Sequence, residues 1–225
     1  RMGVGLMLMQ DEIGSNKTTE LILTYGYHLL LEKNKKVSFG LRGGMVNYKS
    51  DYSALTIDES DPKFQSSISE WKPSVGAGVI FSSDRFYAGF SVPNLLEAAV
   101  VTNDVEIQLY SQHAYVHMAY LLTLSPRLKL KPFVLARAVE GATISVDAGA
   151  ALQADDSYTI GMFTRKLNTF GFLGKLHLGE VLRVGYVFEL PTNKSIGVNY
   201  PSHEITLGIR MNLLKSHDVM AVSDF

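Results

Sequence analysis

The sequence predicts an all-β fold, a transmembrane antiparallel up-and-down β-barrel, on three observations. Apolar residues recur with period two along most of the chain. The runs that alternate are roughly ten residues long, the length a tilted strand needs to cross a bilayer. The face opposite the apolar one carries glycine, small polar residues and scattered charges, not the dense charge with which a soluble sheet meets water. Composition agrees: of 225 residues, 46% are hydrophobic and 19% charged, below the roughly 25% charged of soluble domains. A membrane barrel falls in this middle range because only alternate residues face lipid.

Successive side chains of a strand point to opposite faces, so each run divides in two. The opening Gly3-Val-Gly5 reads as strand, where glycine permits bending or close packing. Between Lys17 and Leu31, Leu21, Leu23, Tyr25, Tyr27, Leu29 and Leu31 share a face against Glu20, Thr24, Gly26 and His28; Ile22 and Leu30 are exceptions. Val37, Phe39, Leu41 and Met45 oppose Ser38, Gly40, Arg42 and Gly44. Trp71, Val75, Ala77, Val79 and Phe81 oppose Lys72, Ser74, Gly76 and Gly78. Phe86, Ala88, Phe90 and Val92 oppose Arg85, Tyr87, Gly89 and Ser91. Ile107 to Leu124 reads as one long strand, and Leu128, Leu130 and Val134 oppose Lys129 and Lys131. Ile144, Val146, Ala148, Ala150 and Leu152 oppose Thr143, Ser145, Asp147 and Gly149. Phe170, Phe172, Leu176 and Leu178 oppose Gly171, Lys175 and His177. Leu182, Val184, Tyr186, Phe188 and Leu190 oppose Arg183, Gly185 and Glu189. A last run places Ile205, Leu207, Ile209, Met211 and Leu213 against Glu204, Thr206, Gly208, Arg210 and Asn212.

Short polar turns separate these runs, among them Ser82-Ser-Asp84, Ser125-Pro126 and Ala154-Asp-Asp-Ser157. Two stretches break the pattern. Asp51 to Glu70 is a long polar segment, and Asn94 to Asp104 opens with a piece that suits a helical turn or two. The count is about 12 strands of roughly ten residues. With no linker or shift of composition, residues 1–225 read as a single domain. The chain opens directly in strand, so a signal peptide and some N-terminal strand sequence are expected upstream.

Several classes of function are disfavoured. A net charge of -1 does not suit nucleic-acid binding, which leaves a basic patch. Without cysteine there is neither a disulfide framework nor a cysteine metal site. No nucleophile elbow, zinc-protease or phosphate-loop motif occurs, so no catalytic residue is assigned and no enzyme activity is expected. His113 and His117 would share a strand face, but about 13 Å apart, too far for one metal. No cofactor is expected.

The charges on the small-residue face are the candidate functional set. Arg42, Lys72, Lys129, Lys131, Arg137, Asp147, Arg165, Lys175, Arg183, Glu189, Glu204 and Arg210 all project inward if that face lines a lumen. They read in two ways. One is a selective pore lining. The other is a network of ion pairs that fills and stiffens a modest barrel, which the number of long side chains favours. A soluble sandwich or a lipocalin-like binder accounts for the alternation as well, though less well for the strand length.

Particular residues also resemble a known family. Pro201-Ser-His-Glu-Ile205 is similar to the element Ser-His-Glu-Ile (Ser202, His203, Glu204 and Ile205 here) that precedes the final strand of the PorP/SprF family. Val184-Gly-Tyr-Val-Phe188 resembles its Gly-Tyr strand, Tyr25-Gly-Tyr27 an earlier one, and Arg1 to Gly14 its early glycine-rich strand and turn. Phe90-Ser-Val-Pro-Asn-Leu95 resembles its Ser-x-Pro-Asn-Leu segment, and Leu122-Thr-Leu-Ser-Pro126 its Leu-x-Pro-Ser region with the last two residues exchanged. The pieces run in family order along the chain. The resemblance implies a component of the type IX secretion and gliding machinery in the outer membrane. It implies help in secreting, docking or anchoring large surface proteins such as adhesins, with periplasmic secretion components as further partners. It assigns no chemistry to His203 or Glu204. The family also carries an N-terminal signal and an Asn-Pro-Ala region that do not occur in these residues; the missing strands would bring the barrel to about 14, an even number. The alternative function is a diffusion porin or small-solute transporter with a charged lumen.

Overall fold

The structure, a computed structural model, describes residues 2–32, 34–50, 68–102, 105–192 and 200–211. All regular structure among them is strand: β1 (Met2–Ile13), β2 (Asn16–Glu32), β3 (Lys35–Ser50), β4 (Ile68–Ser82), β5 (Phe86–Val92), β6 (Ala98–Thr102), β7 (Val105–Tyr110), β8 (His113–Tyr120), β9 (Leu122–Ser125), β10 (Leu128–Val139), β11 (Ser145–Ala154), β12 (Tyr158–Arg165), β13 (Thr169–Leu178), β14 (Leu182–Pro191) and β15 (Ser202–Ile209). Thirteen of these form one sheet in the order β1-β2-β3-β4-β5-β8-β10-β11-β12-β13-β14-β15, with β9 also paired to β10. The pairs that build this sheet are all antiparallel. Because β8 and β9 meet β10 in one register (Ala119 opposite Phe133, Leu122 opposite Leu130), they occupy a single place in the sheet. The result is a meander in which neighbours in sequence are neighbours in space. Among the described residues it is open: β1 and β15 are its two edges and do not pair with each other.

Residues opposite each other across a ladder point to the same side, so the registers carry one face through the whole sheet. On one side lie Val4, Leu6 and Leu8 of β1, Leu21, Leu23 and Tyr25 of β2, Ile160 and Met162 of β12, and Ile205, Leu207 and Ile209 of β15. These are large and exposed; Val4 is 86% and Leu207 72% exposed. On the other side the buried residues are mostly small or polar: Ser38, Ser50, Ser74, Ser82, Asp147, Gln153 and Thr159. The burial pattern of a soluble protein is thereby inverted, with apolar area outward and polar groups packed inward. Ile22 and Val46, two of the apolar residues that stand on the polar side, are each 1% exposed.

A lane of glycines crosses the polar side. Gly3 stands opposite Gly26, Gly26 opposite Gly40, Gly40 opposite Gly78, and Gly78 opposite Ser91, so β1 to β4 show bare backbone along one row. The other arm of the sheet is filled instead. Phe133 and Phe163 lie over Gly149, where a Cβ would meet Phe163 Cβ at 2.6 Å and Phe133 Cζ at 2.7 Å.

The two ends of the sheet differ. At one end the connections 33–34, 83–85, 126–127, 155–157 and 179–181 are none longer than three residues. At the other they include 51–67, 93–112 with the separate β6–β7 hairpin, and 192–201. Asp155 and Asp156, and likewise Lys166 and Leu167, have positive φ and are closed by Ser157 N–H to Ala154 O at 3.1 Å and Asn168 N–H to Arg165 O at 2.9 Å. Those are mirror-image turns whose twist matches the flanking strands.

Three expectations change. The single strand expected from Ile107 to Leu124 is three pieces, β7 leaving the main sheet to pair with β6. Leu121 interrupts the rest because its N–H turns to Arg85 O at 2.7 Å. The helical turns suited to Asn94 onward do not form; Leu95 N–H bonds Val75 O at 2.7 Å and the chain extends into β6. The last strand ends at Ile209, before Arg210 and Met211, and the expected continuation to Asn212 and Leu213 lies outside the described residues. The loop 51–67, the turn residues 193–194 and the tail from 212 lie outside the described residues.

Candidate functional site

The polar side of the sheet gathers the candidate charges. Following the registers, Arg42, Lys72, Lys129, Lys131, Arg137, Asp147, Arg165, Lys175, Arg183, Glu189 and Glu204 all stand on that side. Arg210 lies one residue past β15, in step with them.

Four of them are joined in a chain of ion pairs. Asp147 on β11, 6% exposed, accepts two hydrogen bonds from Arg137 Nη2 of β10 at 3.1 and 3.2 Å and one from Arg165 Nε of β12 at 3.1 Å. Arg165 then donates through Nη1 and Nη2 to both oxygens of Glu189 on β14 at 3.2 Å. A buried carboxylate is costly unless paired and hydrogen-bonded, and the planar guanidinium fork meets a carboxylate with two parallel bonds. This geometry belongs to the ion-pair reading of the inward charges. The chain spans the five neighbouring places from β10 to β14, drawing on four of them and bridging over β13, where Gly171 stands opposite Glu189 beneath the Phe163 ring.

The remaining charges are more dispersed. Lys129 bonds Asp156 in the β11–β12 turn at 2.6 Å, Lys72 meets Glu70 at 2.8 Å, and Arg42 approaches Glu20 at 3.5 Å. Arg42 and Lys72 sit on β3 and β4, far along the sheet from the Asp147 chain. Lys131 and Lys175 line one cavity of about 440 Å³ with Tyr87, His117, Phe133 and Thr159. Lys175, Arg183 and Glu204 line a neighbouring one of about 390 Å³. Glu20, Glu70 and Asp156 are counter-charges that the sequence reading did not select. Glu20 carried a usable signal, since it is in step with Thr24 and His28. Asp156 carried none, because a turn has no face.

The Ser-His-Glu-Ile element is divided between the faces. Ser202 and Glu204 point with the charges; His203 and Ile205 point to the apolar side. The His203 ring is 5.1 Å from Phe188, and its Nδ1 is 2.6 Å from Tyr186 Oη. His203 and Glu204 therefore do not form a pair; His203 fastens the start of β15 to β14 on the apolar side, and Glu204 faces the polar side. Among the described residues no group of three His, Asp or Glu could hold a metal ion. His117 instead stacks on Tyr87 with centroids 4.6 Å apart, and His113 Nδ1 bonds Ser111 O at 2.9 Å.

Comparison with curated proteins finds no match. Comparison with protein families finds one whose description is type IX secretion system membrane protein PorP/SprF, matching residues 1–209. Those residues run from the start of β1 to the end of β15 and take in both faces, the ion-pair chain and the Ser-His-Glu-Ile element. A membrane setting accounts for the inverted burial, and on the strength of a match across nearly its whole length the chain belongs to the PorP/SprF family of type IX secretion system membrane proteins.

Proposed function

We propose that this protein is a non-enzymatic outer-membrane β-barrel that docks or anchors a large secreted surface protein, adhesin-like in kind, and links it to periplasmic secretion components. The observation that carries the reading is the continuous apolar face. No water-soluble sheet leaves such area uncovered, while lipid covers it without cost. Edges cannot stay unpaired in lipid, which supports closure. The order of twelve alternating places sets the two edges antiparallel, so the sheet closes on itself or through an even number of added strands; two would make 14.

Bacterial barrels have short periplasmic turns and longer outer loops. That pattern orients the 155–157 end toward the periplasm and the end bearing 51–67, the β6–β7 hairpin and 192–201 outward. Loops on a rigid scaffold are where recognition concentrates, so the outer end is the docking surface. The residues inside supply stiffness through the Asp147 ion pairs and no bond-making chemistry.

The test is a detergent pull-down of the full-length protein from native envelopes. Co-purification of a stoichiometric large surface protein or a periplasmic secretion component is the expected result. A barrel that emerges alone and gives a steady large conductance in planar bilayers replaces this reading with the porin. Recovery in the soluble fraction removes the membrane assignment.

A further inference from the structure

We propose that the apolar face, at the end bearing residues 51–67, binds the phosphate head of an anionic membrane lipid between Lys17 of β2 and Lys49 of β3. The site rests on the reading of that face as lipid-facing, and not on the docking role. It stands on the outward side of the sheet, which closure of the edges leaves uncovered.

The ladders grade this face row by row toward the 51–67 end. Leu8, Leu21, Met45 and Pro73 form one row across β1 to β4. Gln10, Thr19, Asn47 and Trp71 form the next, about 7 Å further along. Glu12, Lys17, Lys49 and Ser69 form the row after that. Hydrocarbon, then amides with a tryptophan, then charge is the order in which a bilayer core gives way to its headgroups, and tryptophan settles at that boundary. Trp71 is 56% exposed. Its row marks the boundary, and the lysines beyond it stand at headgroup level.

Lys17 and Lys49 are directly opposite in the ladder, an arrangement of like charges that destabilises a sheet. The next pair in the register, Asn16 and Ser50, holds the backbone in place: Asn16 Oδ1 accepts hydrogen bonds from Ser50 Oγ and Tyr48 Oη, both at 2.8 Å. β2 and β3 are interior strands, so the lysines do not serve to guard an open edge. Among the described residues neither ammonium group has an ion-pair or hydrogen-bond partner. Glu12 stands across from Lys17 on β1 without pairing to it, and the row keeps a net positive charge.

These features select the ligand. A phosphate between the two ammonium groups relieves their repulsion and accepts a charge-assisted hydrogen bond from each. A phosphomonoester, with a charge of about −1.5 to −2 near neutral pH, matches two lysines; a zwitterionic head brings its own cation. The apolar rows next to the site take the acyl chains, which favours a lipid over free phosphate.

The experiment is native mass spectrometry of the full-length protein in a neutral detergent, titrated with dioleoyl phosphatidic acid. Dioleoyl phosphatidylcholine and dioleoylglycerol are the zwitterionic and neutral counterparts with the same chains. Retention of one phosphatidic acid per barrel is expected, with at least tenfold preference over either counterpart. The double variant Lys17→Gln/Lys49→Gln should lower that affinity at least tenfold, with the heat-modifiable gel mobility of a folded barrel unchanged. Glu12→Gln, which leaves both lysines to the phosphate, should not weaken binding, nor should Lys166→Gln in the distant β12–β13 turn. Equal retention of phosphatidylcholine, undiminished binding by the double variant, or displacement by an equal concentration of inorganic phosphate would overturn the proposal. Folded barrels extracted from membranes that retain no phosphatidic acid refute this site alone, whereas recovery in the soluble fraction refutes the lipid-facing reading beneath it.

Discussion

Replacing Asp147 by alanine removes the centre of the ion-pair chain, and its effect can be worked from the geometry. Three charge-assisted hydrogen bonds at 3.1 to 3.2 Å end on this carboxylate. Removing one partner of a buried pair costs about 3–5 kcal/mol, chiefly because the other charges stay behind unpaired. Here the side chains left behind are only partly buried: Arg137 is 29% and Arg165 36% exposed. Water therefore reaches both guanidinium groups and part of the penalty is offset. Arg165 also keeps its fork on Glu189. The expected loss for Asp147→Ala is about 2–3 kcal/mol, at the lower edge of the buried range. The assay is equilibrium unfolding in urea of the protein folded into lipid vesicles, followed through Trp71, the only tryptophan. A double-mutant cycle adds a sharper check. Asp147 and Glu189 do not touch each other but share Arg165, so Asp147→Ala and Glu189→Ala should be non-additive, with coupling of roughly 0.5–3 kcal/mol. Stability within about 0.5 kcal/mol of the wild type, or strict additivity with Glu189→Ala, would refute the view that these residues act as one chain.

Three other outcomes follow from the two faces. Gly149→Ala places a methyl against Phe163 Cβ and Phe133 Cζ and should cost about 1–3 kcal/mol as overpacking; Phe133→Leu alone should not rescue it, because Phe163 Cβ cannot swing away. Met162→Arg, on the apolar face and 61% exposed, should cost about 2–4 kcal/mol if that face lies in the bilayer midplane, measured as the fraction inserted into vesicles; normal insertion would contradict a lipid-facing surface. Tyr186→Phe removes the bond to His203 Nδ1 at 2.6 Å and should lower stability by about 0.5–1.5 kcal/mol while leaving the strand register intact, as judged by the unfolding slope.

Much of the fold was legible because a strand writes its two faces into alternate letters. β2, β3, β11, β13 and β14 stand out this way, and the charges on their small-residue faces follow from the same parity. Legibility failed where a side chain broke parity or where contacts were not local. β12 does not announce itself, since Phe163 occupies the small-residue face to cover glycines of neighbouring strands. The gap at Leu121 arises from a hydrogen bond to Arg85 that lies 36 positions earlier, which no local pattern encodes. The separation of β7 from β8 had the same obscurity, because both halves look like strand. At the candidate site, parity told which charges share a side but not which would meet. That Asp147 joins Arg137 to Arg165, while Lys131 and Lys175 share a cavity, depends on stagger between strands that the sequence does not display.

The glycine lane across β1 to β4 has a further consequence for the shape of a closed barrel. When the sheet curls with its polar side inward, β10 to β14 fill their part of the interior with Phe133, Phe163, Lys131 and the paired arginines, while the lane offers a wall without side chains. In that closed form the unobstructed cross-section would be an off-centre crescent against one wall rather than an axial hole. Traffic along it would be sorted by thickness, because a bare backbone wall discriminates by shape before charge, and a bulky residue at Gly40 would narrow the route without disturbing a single ion pair.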